Sequence, residues 1–408
     1  MAKFYKDYLS FQDLSEDKAL VRLSKCLELI EGSDFEEDLI NLFTFERIKN
    51  ESIAITGLSK VIKSIISRDR QFKKIDLKSH ISDVKCIQTI DVNTIKLRFI
   101  DANDIGMPFI DAKTVYSAKR EYFEGFYKMD KFANFCISEG HFELLQENIK
   151  YLNKKYKTSD THIKNFRLLQ DKEGEYYVRA ITSTSQYFDY NIRFSLFVTI
   201  VALHDVIKNT GYNFEISRCE YSESFIRVYF QKDKATNIPN IGKLSFVLEM
   251  SNDEIKREAF KFSGLFTLQT NDSKNQVNIF LKPKRIKTKL ISIRHNFLPS
   301  TVIEQLEGLS NFIEEAEKEM KEDLIEVNSI KNPDHLRFFL LRKIELSQNK
   351  ELSQFKPKIK ETLDVKIYKI NELLILMGKI DEIVTDIEVK EYLRYLFYEI
   401  LRDKKERN

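Results

Sequence analysis

The sequence contains no tryptophan, and among its 408 residues only 11 are glycine, 6 proline and 4 cysteine. The scarcity of glycine and proline argues against long flexible linkers, because these residues dominate turns and linkers. The cysteines at positions 26, 86, 136 and 219 are far apart in the chain, which is typical of reduced thiols rather than of a disulfide framework or a zinc knuckle. Large core side chains must therefore come from the 31 phenylalanines and 18 tyrosines.

Long apolar runs are also missing. The longest, Leu196 to Leu203, is far shorter than the ~20 residues that a membrane-spanning helix requires. The first 18 residues are charged throughout and contain no apolar segment of the kind found in signal peptides. These two features predict a cytoplasmic protein with no membrane partner.

The chain has no excess of charge of one sign, since 66 basic residues nearly balance 63 acidic ones. The whole molecule therefore has no electrostatic attraction to nucleic acid or membrane, and any such attraction must come from a local patch. An apolar share of 42% and a charged share of 32% are typical of a globular protein. The length predicts two or three domains.

Pairs of β-rich segments around short polar turns predict an antiparallel sheet. Val84–Ile90 and Thr94–Ile100 flank an Asp-Val-Asn turn, which is the pattern of a hairpin. Similar pairs lie at 166–170 with 175–181 and at 214–221 with 225–231, and further strands are predicted at 244–250, 259–270, 277–281 and 288–294. Because hairpins imply antiparallel pairing, the predicted fold class is α+β.

Helical periodicity frames this sheet on both sides. Helices are predicted at 12–31, 34–49 and 60–70, within 112–157, at 192–208, and after His295 at 301–327, 333–348, 358–380 and 386–405. Pro299, Pro333 and Pro357 lie at the seams, where proline can begin a helix. The predicted domains are a mixed helical region with a hairpin (1–158), an antiparallel sheet core (159–298) and a helical domain (299–408).

The familiar catalytic and cofactor motifs are absent. The sequence contains no G-x-x-x-x-G-K-[ST] loop, no G-x-G-x-x-G after a strand, no G-x-S-x-G, no H-E-x-x-H and no C-x-x-C. Cys136 and His141 are the only close thiol–imidazole pair, and one pair does not make a metal site. We therefore expect no cofactor and no metal, and this favours binding over catalysis.

A basic run near position 290 is the first candidate site. It contains Lys282, Lys284, Arg285, Lys287, Lys289 and Arg294, with no acidic residue between them. Such a run can neutralise several phosphates and so bind nucleic acid in a salt-dependent way. The alternative is that these cations face the glutamate-rich helix predicted at 301–327, or that both segments are simply solvated.

Two polar segments further upstream are the remaining candidates. Asp253, Glu254 and Lys256 follow an apolar strand and resemble the acids and lysine of a divalent-metal nuclease, although a Ser-Asn-Asp turn is also ordinary hairpin chemistry. The segment from Arg179 to Asn191 leaves a strand and enters a helix, and it is rich in hydroxyls. It can bind an anion or a nucleic-acid base, or it can serve as a helix N-cap with a packed aromatic anchor.

The same two segments carry a family resemblance. Arg179-Ala180-x-x-Ser183 followed by Tyr187, Asp189 and Asn191 resembles the R-A-x-x-S-x-x-Y turn of the phage- and plasmid-type family catalogued as domain of unknown function nine-three-two. Ser251-Asn252-Asp253-Glu254 is similar to that family's S-N-S-E stretch, and Asn271 and Arg294-His295 fall where its N-G and R-H lie. Ile255 and Asp272 replace the family's glycines. The resemblance covers about residues 129–310, and it implies a prokaryotic protein of mobile elements without implying an activity.

Three functions follow as hypotheses. The first is a phage-, plasmid- or antiviral-defence-associated protein that binds nucleic acid without catalysis, using the basic run and Arg179. Aromatic residues of the central strands would stack on bases, namely Tyr176, Tyr177, Phe225, Tyr229 and Phe230. The second is a protein-interaction or self-assembly component that uses apolar residues of the C-terminal helices, namely Phe338, Phe339, Leu340, Leu341, Tyr392, Tyr395, Leu396, Phe397 and Ile400. The third is the nuclease.

Overall fold

The structure is a computed structural model that describes residues 7–100, 102, 106–156, 162–184, 187–239, 241–255, 258–270, 278–282, 291–327 and 329–402. Its strands are β1 (Asp7–Leu9), β2 (Val21–Arg22), β3 (Ser52–Ile53), β4 (Ile55–Thr56), β5 (Lys73–His80), β6 (Val84–Asp91), β7 (Thr94–Phe99), β8 (Ile110–Thr114), β9 (Ile163–Gln170), β10 (Tyr176–Thr182), β11 (Phe214–Tyr221), β12 (Phe225–Lys232), β13 (Thr236–Ile238), β14 (Gly242–Asp253), β15 (Phe260–Thr270), β16 (Asn278–Leu281) and β17 (Ile291–Ile293).

Helices fill most of the remaining described chain. They are α1 (Phe11–Leu14), α2 (Leu23–Cys26), α3 (Glu36–Leu42), α4 (Phe45–Ile48), α5 (Leu58–Asp69), α6 (Ala118–Tyr127), α7 (Asp130–Ser138), α8 (Phe142–Tyr156), α9 (Ile192–Thr210), α10 (Pro299–Leu306), α11 (Leu309–Val327), α12 (Pro333–Leu346), α13 (Lys356–Leu363), α14 (Ile370–Ile383) and α15 (Ile387–Arg402). None of these described helices combines the length and the apolar character that a bilayer span needs.

The strands form two large sheets. The six-stranded sheet has the order β5-β9-β10-β8-β7-β6, with one parallel pair, β8 and β10, among antiparallel neighbours. The nine-stranded sheet follows the path β1-β11-β12-β14-β15-β16, with β4, β13 and β17 paired at its sides. Mostly antiparallel sheets combined with separate helical layers confirm the α+β class and the predicted hairpins β6–β7, β9–β10 and β11–β12.

One face of the six-stranded sheet packs against α6, α7 and α8. Strand alternation directs Ile75, Leu77 and Phe166 into this core, where Phe166 stacks on Phe126 of α6. The same alternation places the intervening polar side chains on the opposite face. That second face is therefore the one that can meet another part of the protein.

The nine-stranded sheet is covered on both faces, by layers of different chemistry. Its apolar face, which includes Phe246 and Met250, packs against α9, and residues 194–204 of α9 are all buried because this part of the helix lies inside the core. Helix α11 covers the same face, where Gly264 allows Ala316 to approach. The other face carries charged residues such as Arg227 and Glu249, which pair with each other, and Arg227 also pairs with Glu391 of α15.

The two sheets divide the chain differently from the predicted domain boundaries at 158 and 298. Residue 158 falls between β8 and β9, which belong to the same six-stranded sheet because β8 pairs with β10. Residues 7–69 and the helices after residue 299 share one hydrophobic core with the nine-stranded sheet. The structure therefore consists of one sheet unit within residues 73–182, inserted into a larger unit formed by the other described residues.

Candidate functional site

The polar face of the six-stranded sheet meets one end of the nine-stranded sheet. Two adjoining segments of the latter make the contact: the β11–β12 turn at Ser222–Ser224, and the residues at the end of β14. Phe225 of β12 is paired with Asp253 of β14, so these two segments lie side by side. We call the contact the sheet junction, and it is formed by Lys74, Tyr116, Arg167, Arg179, Tyr187, Asp189, Asn191, Glu223, Ser224, Asn252, Glu254 and His295.

Glu254 is the centre of the sheet junction, and its side chain is fully buried. Its Oε1 accepts hydrogen bonds from Lys74 Nζ at 2.6 Å and from the Ile192 backbone N–H at 3.0 Å. Its Oε2 accepts from Arg179 Nη1, which also donates to Ser224 Oγ at 2.9 Å. One carboxylate thus connects β5, β10 and the start of α9.

The charge state of Glu254 follows from these contacts. Burial alone would raise the pKa of this carboxyl, but the charges of Lys74, Arg179 and Arg167 outweigh burial and hold the pKa far below its ordinary value. The Glu254 carbonyl also accepts from Arg167 Nη1 at 2.8 Å and from the Tyr187 hydroxyl. Glu254 is therefore an ionised, fully partnered residue.

Arg167 organises the loop between β10 and α9. Its guanidinium lies 2.5 Å from Asp189 and 3.3 Å from Asp76, and 5.2 Å from the ring centroid of Tyr187. The Tyr187 ring stacks on His295, with centroids 5.0 Å apart and planes within 1° of parallel. The loop is thereby fixed between the six-stranded sheet and the segment that leads into α10.

The start of α9 is fixed by asparagines. Asn191 is the N-cap, and its side chain accepts from the Phe194 N–H at 2.8 Å. Asn252 Nδ2 donates to the carbonyls of Tyr190 and Asn191, at 2.7 and 3.3 Å. The N-cap interpretation of this segment is confirmed for Asn191.

Most residues that carry the family resemblance lie in the sheet junction, namely Arg179, Tyr187, Asp189, Asn191, Asn252, Glu254 and His295. Arg179 and Glu254 are 75 residues apart in the sequence and form a buried ion pair. Ser183 lies outside the junction, beside a cleft described below, and Asn271 is outside the described residues. The structure thus brings two sequence segments together at one place.

The nuclease residues do not converge on an open site. The Asp253 side chain accepts from the Ile255 N–H at 2.9 Å, which is the turn interaction that the sequence also allowed. Glu254 is occupied by Lys74 and Arg179, and Lys256 lies outside the described residues. Within the described residues, no group of three or more His, Cys, Asp and Glu side chains could hold a metal ion.

The basic run is divided by the structure. Lys282 is buried and pairs with Glu249 at 2.7 Å and with Glu391 of α15 at 3.0 Å, so its charge is not directed to solvent. The positions Lys284, Arg285, Lys287 and Lys289 lie outside the described residues. Arg294 is exposed, whereas Arg179 is fully buried in the sheet junction. The acidic partners of Lys282 are therefore on β14 and α15 rather than on α11.

The aromatic and apolar residues proposed for binding are largely core. Tyr177, Phe225, Tyr229 and Phe230 are buried in the two sheets and cannot stack on a base, and Tyr176 is half-buried. In the C-terminal helices Leu340, Leu396, Phe397 and Ile400 are also buried. Phe338 is the exception, since 56% of it is exposed.

Sequence reasoning missed Lys74, Arg167 and Glu223. A signal for Arg167 was present, because an arginine within the apolar strand Phe166–Leu169 requires a buried acceptor. Lys74 and Glu223 gave no comparable signal, since charged residues at a strand start or in a hairpin turn are ordinary surface features. No family model matches the chain, and no curated protein and no solved structure shows significant similarity to it.

The central role of Glu254 is tested by Glu254→Gln, which leaves Lys74 and Arg179 without a buried counter-charge. We expect the free energy of unfolding at neutral pH to fall by about 3–5 kcal/mol. The pKa of Glu254 is depressed in the folded state, so its contribution is complete above the ordinary value of 4.5 and is lost as the pH falls below it. Urea titrations should therefore show that the difference in unfolding free energy between the wild type and Glu254→Gln narrows in acid.

The control is Glu46→Gln, because Glu46 forms an exposed pair with Lys49, and its unfolding free energy should change little. Equal effects of the two substitutions would contradict the central role of Glu254.

His295 should make the protein acid-sensitive in a separate window. Burial lowers the pKa of His295 to about 4 from an ordinary 6.5, so the unfolded chain takes up a proton more readily between these values. The free energy of unfolding should therefore fall as the pH drops from 6.5 to 4, by about 3 kcal/mol at most. His295→Phe, which retains a ring against Tyr187, should lose this dependence, while the exposed His335→Gln should retain it. An unchanged pH profile in His295→Phe would show that the acid sensitivity has another origin.

Proposed function

We propose that this chain binds nucleic acid without catalysing a reaction on it, and that the second half of α8 carries the binding surface. From Asn148 to Tyr156 this helix contains Lys150, Lys154 and Lys155, all exposed, and no acidic residue. This concentration of exposed positive charge is the observation that supports the proposal.

The surface extends beyond the helix itself. Exposed Lys85 of β6 lines a cleft of about 520 Å³ together with Lys150 and Lys154. Asp83 and Glu147 also line this cleft. The Glu147 carboxylate lies 3.6 Å from Lys150 Nζ, and the side chains of Glu147 and Lys150 are both largely exposed to solvent. Such a pair is weak, so a phosphate can replace the carboxylate as the partner of the lysine.

An aromatic residue lies among these lysines. Tyr151 is 59% exposed, and Lys155 Nζ is 4.8 Å from the centroid of its ring. Lysines that neutralise phosphates next to an accessible ring on which an unpaired base can stack are the two elements of single-strand binding. The buried aromatic residues of the central strands supply neither.

The sheet junction supports the non-catalytic part of the proposal. Glu254 pairs with Lys74 and Arg179, and Asp189 pairs with Arg167, so these two carboxylates are occupied by cations of the six-stranded sheet. The convergence of the resemblance residues in one structural site also supports a relationship to the mobile-element family. We accordingly propose a cytoplasmic role in a phage, plasmid or defence locus, with positions 284–289 as a second basic segment.

The experiment is a gel-shift titration with single-stranded and duplex DNA and RNA across salt concentrations. Replacing Lys85, Lys150, Lys154 and Lys155 by Gln should weaken binding and reduce the slope of log affinity against log salt by about 3, since each phosphate contact contributes roughly 0.7–0.9. The control replaces four exposed lysines of the C-terminal helical layer, Lys331, Lys350, Lys358 and Lys366, and should bind like the wild type.

A third variant carries Gln at Lys284, Arg285, Lys287 and Lys289. If this variant alone loses affinity, the binding surface is the segment predicted from the sequence and not α8. Absence of any shift by the wild-type protein at low salt removes the nucleic-acid proposal altogether.

Protein assembly is a second candidate function, favoured by one exposed surface. Phe338 and Leu346 of α12 are 56% and 69% exposed, and Val365 and Tyr368 after α13 are 47% and 72% exposed. Exposed large apolar residues in one region are typical of an interaction surface. Light scattering should then show self-association that Phe338→Ser with Tyr368→Ser removes, and a strictly monomeric wild type would exclude self-assembly through this surface.

A further inference from the structure

A second cleft lies on the six-stranded unit, between α6 and the end of β10. Its volume is about 550 Å³, within the range of small-molecule sites. It is lined by Ser117, Arg120, Glu121, Glu124, Gly125, Phe126, Lys164, Ile181, Thr182 and Ser183. We call it the α6 cleft, and none of the residues that form the sheet junction or the basic surface of α8 lines it.

The walls of the α6 cleft are held together by Glu121. Its Oε1 accepts from Ser117 Oγ at 2.9 Å, and its Oε2 accepts from the Ile181 N–H at 2.7 Å. These bonds tie the first turn of α6 to the end of β10, so the cleft is formed before a ligand enters. They also hold both oxygens of Glu121 in hydrogen bonds to the cleft wall, but the donors are neutral, so the negative charge of the carboxylate remains.

Two cations of the cleft are available to an anion. Arg120 is exposed on α6 and Lys164 is half-exposed on β9, and neither side chain forms a hydrogen bond or ion pair with another described residue. Glu121 and Glu124 are the acids of the same lining, and Glu121 is held by the wall. A guanidinium and an ammonium on opposite walls, with the hydroxyl of Ser183 beside them, are the groups that recognise phosphate oxygens.

The cleft has room for more than a phosphate group. A Cβ atom added at Gly125 would meet no atom within 4 Å, so the helix backbone there borders open space. Phe126 and Ile181 contribute apolar surface to the same lining. A flat ring can therefore lie against the helix while an attached phosphate reaches the cations.

A residue next to the lining of the α6 cleft has a strained backbone. Tyr116, which precedes Ser117, has φ of 55°, an unfavourable value for a bulky side chain, and its hydroxyl contacts Glu223 of the sheet junction. Ser183 lies four residues after Arg179. Strained residues of this kind cluster at binding sites, and here one of them connects the cleft wall to the junction.

We infer that the α6 cleft binds a phosphate monoester of nucleotide size, with its phosphate between Arg120 and Lys164 and its ring against Gly125. This inference does not depend on the proposed binding of nucleic acid through α8. The same phosphate chemistry can come from a free nucleoside monophosphate or from the 5′-phosphate end of a nucleic-acid strand.

The test is calorimetric titration of the full chain with the four common nucleoside monophosphates and with inorganic phosphate. At least one nucleotide should bind saturably, and at least tenfold more tightly than inorganic phosphate. Arg120→Gln and Lys164→Gln should each weaken binding on the order of tenfold, as loss of a charged hydrogen bond does. Glu124→Gln should strengthen binding, because it removes the opposing charge.

A steric variant separates the cleft from a general charge effect. Gly125→Leu fills the open space without changing any charge and should abolish binding, while its melting temperature stays the same or rises because glycine is unfavourable within a helix. Lys131→Gln, an exposed lysine on α7, is the control and should bind like the wild type. Nucleotide binding by Gly125→Leu at wild-type affinity would overturn the inference.

Further outcomes decide the identity of the ligand. The inference is also overturned if no nucleoside monophosphate binds saturably at millimolar concentration. The same holds if inorganic phosphate binds with equal affinity. Competition by a 5′-phosphorylated but not a 5′-hydroxyl dinucleotide would support the cleft and identify strand ends as its source of phosphate, whereas no competition would support free nucleotides. The gel-shift behaviour of the α8 lysine variant is a separate readout, so failure of one proposal leaves the other measurable.

Discussion

The buried carboxylate of Glu254 is the interaction on which the arrangement of the two sheets depends. A lone ionised carboxylate in a protein interior costs many kcal/mol, and the cost is offset only when Lys74 and Arg179 both reach it. These cations belong to β5 and β10 of one sheet, while Glu254 directly follows β14 of the other. The charge of Glu254 is therefore paired only when the two sheets dock in this arrangement. A shift of one sheet relative to the other would separate Glu254 from Lys74 and Arg179. The junction contributes specificity of docking more than stability, because apolar residues of similar size would pack equally well.

A similar constraint acts on the far side of the nine-stranded sheet. Arg227 and Lys282 pair with Glu391 of α15, and Arg394 of the same helix pairs with Asp381 of α14. Positive groups on the sheet thus determine where the C-terminal helices lie. Lys282 shows that a lysine in a basic run of the sequence need not lie at the surface. Lys282 begins that run, yet the alternation of β16 and the position of α15 turn it inward, toward acids more than 30 and 100 residues away in the chain.

The local elements were predictable from the sequence wherever the signal was local. The hairpins and α9 follow from alternation, turn residues and an uninterrupted apolar run, and the structure has them close to the predicted bounds. The predicted helix at 12–31 is wrong. It is divided into the short helices α1 and α2 around β2, because pairing with β3 and packing on the core outweigh helical spacing. The parallel pair β8–β10 and the ion pair between Lys74 and Glu254 could not be predicted, since each joins residues far apart in sequence and no local pattern encodes the partner.

The polar residues of the sheet junction connect elements of the fold, and this changes where function should be sought. Arg179, Asn191, Asn252 and Glu254 attract attention because polar residues in apolar surroundings usually mark a site, but their hydrogen bonds are directed at one another and at the backbone. Exposed cations that border clefts lie instead on the helical side of the six-stranded unit, on α6 and α8. In the function proposed above, the larger unit, with its apolar core and buried ion pairs, is the scaffold, and the six-stranded unit presents the binding surfaces. This proposal rests on which charges the fold pairs internally and which it leaves exposed.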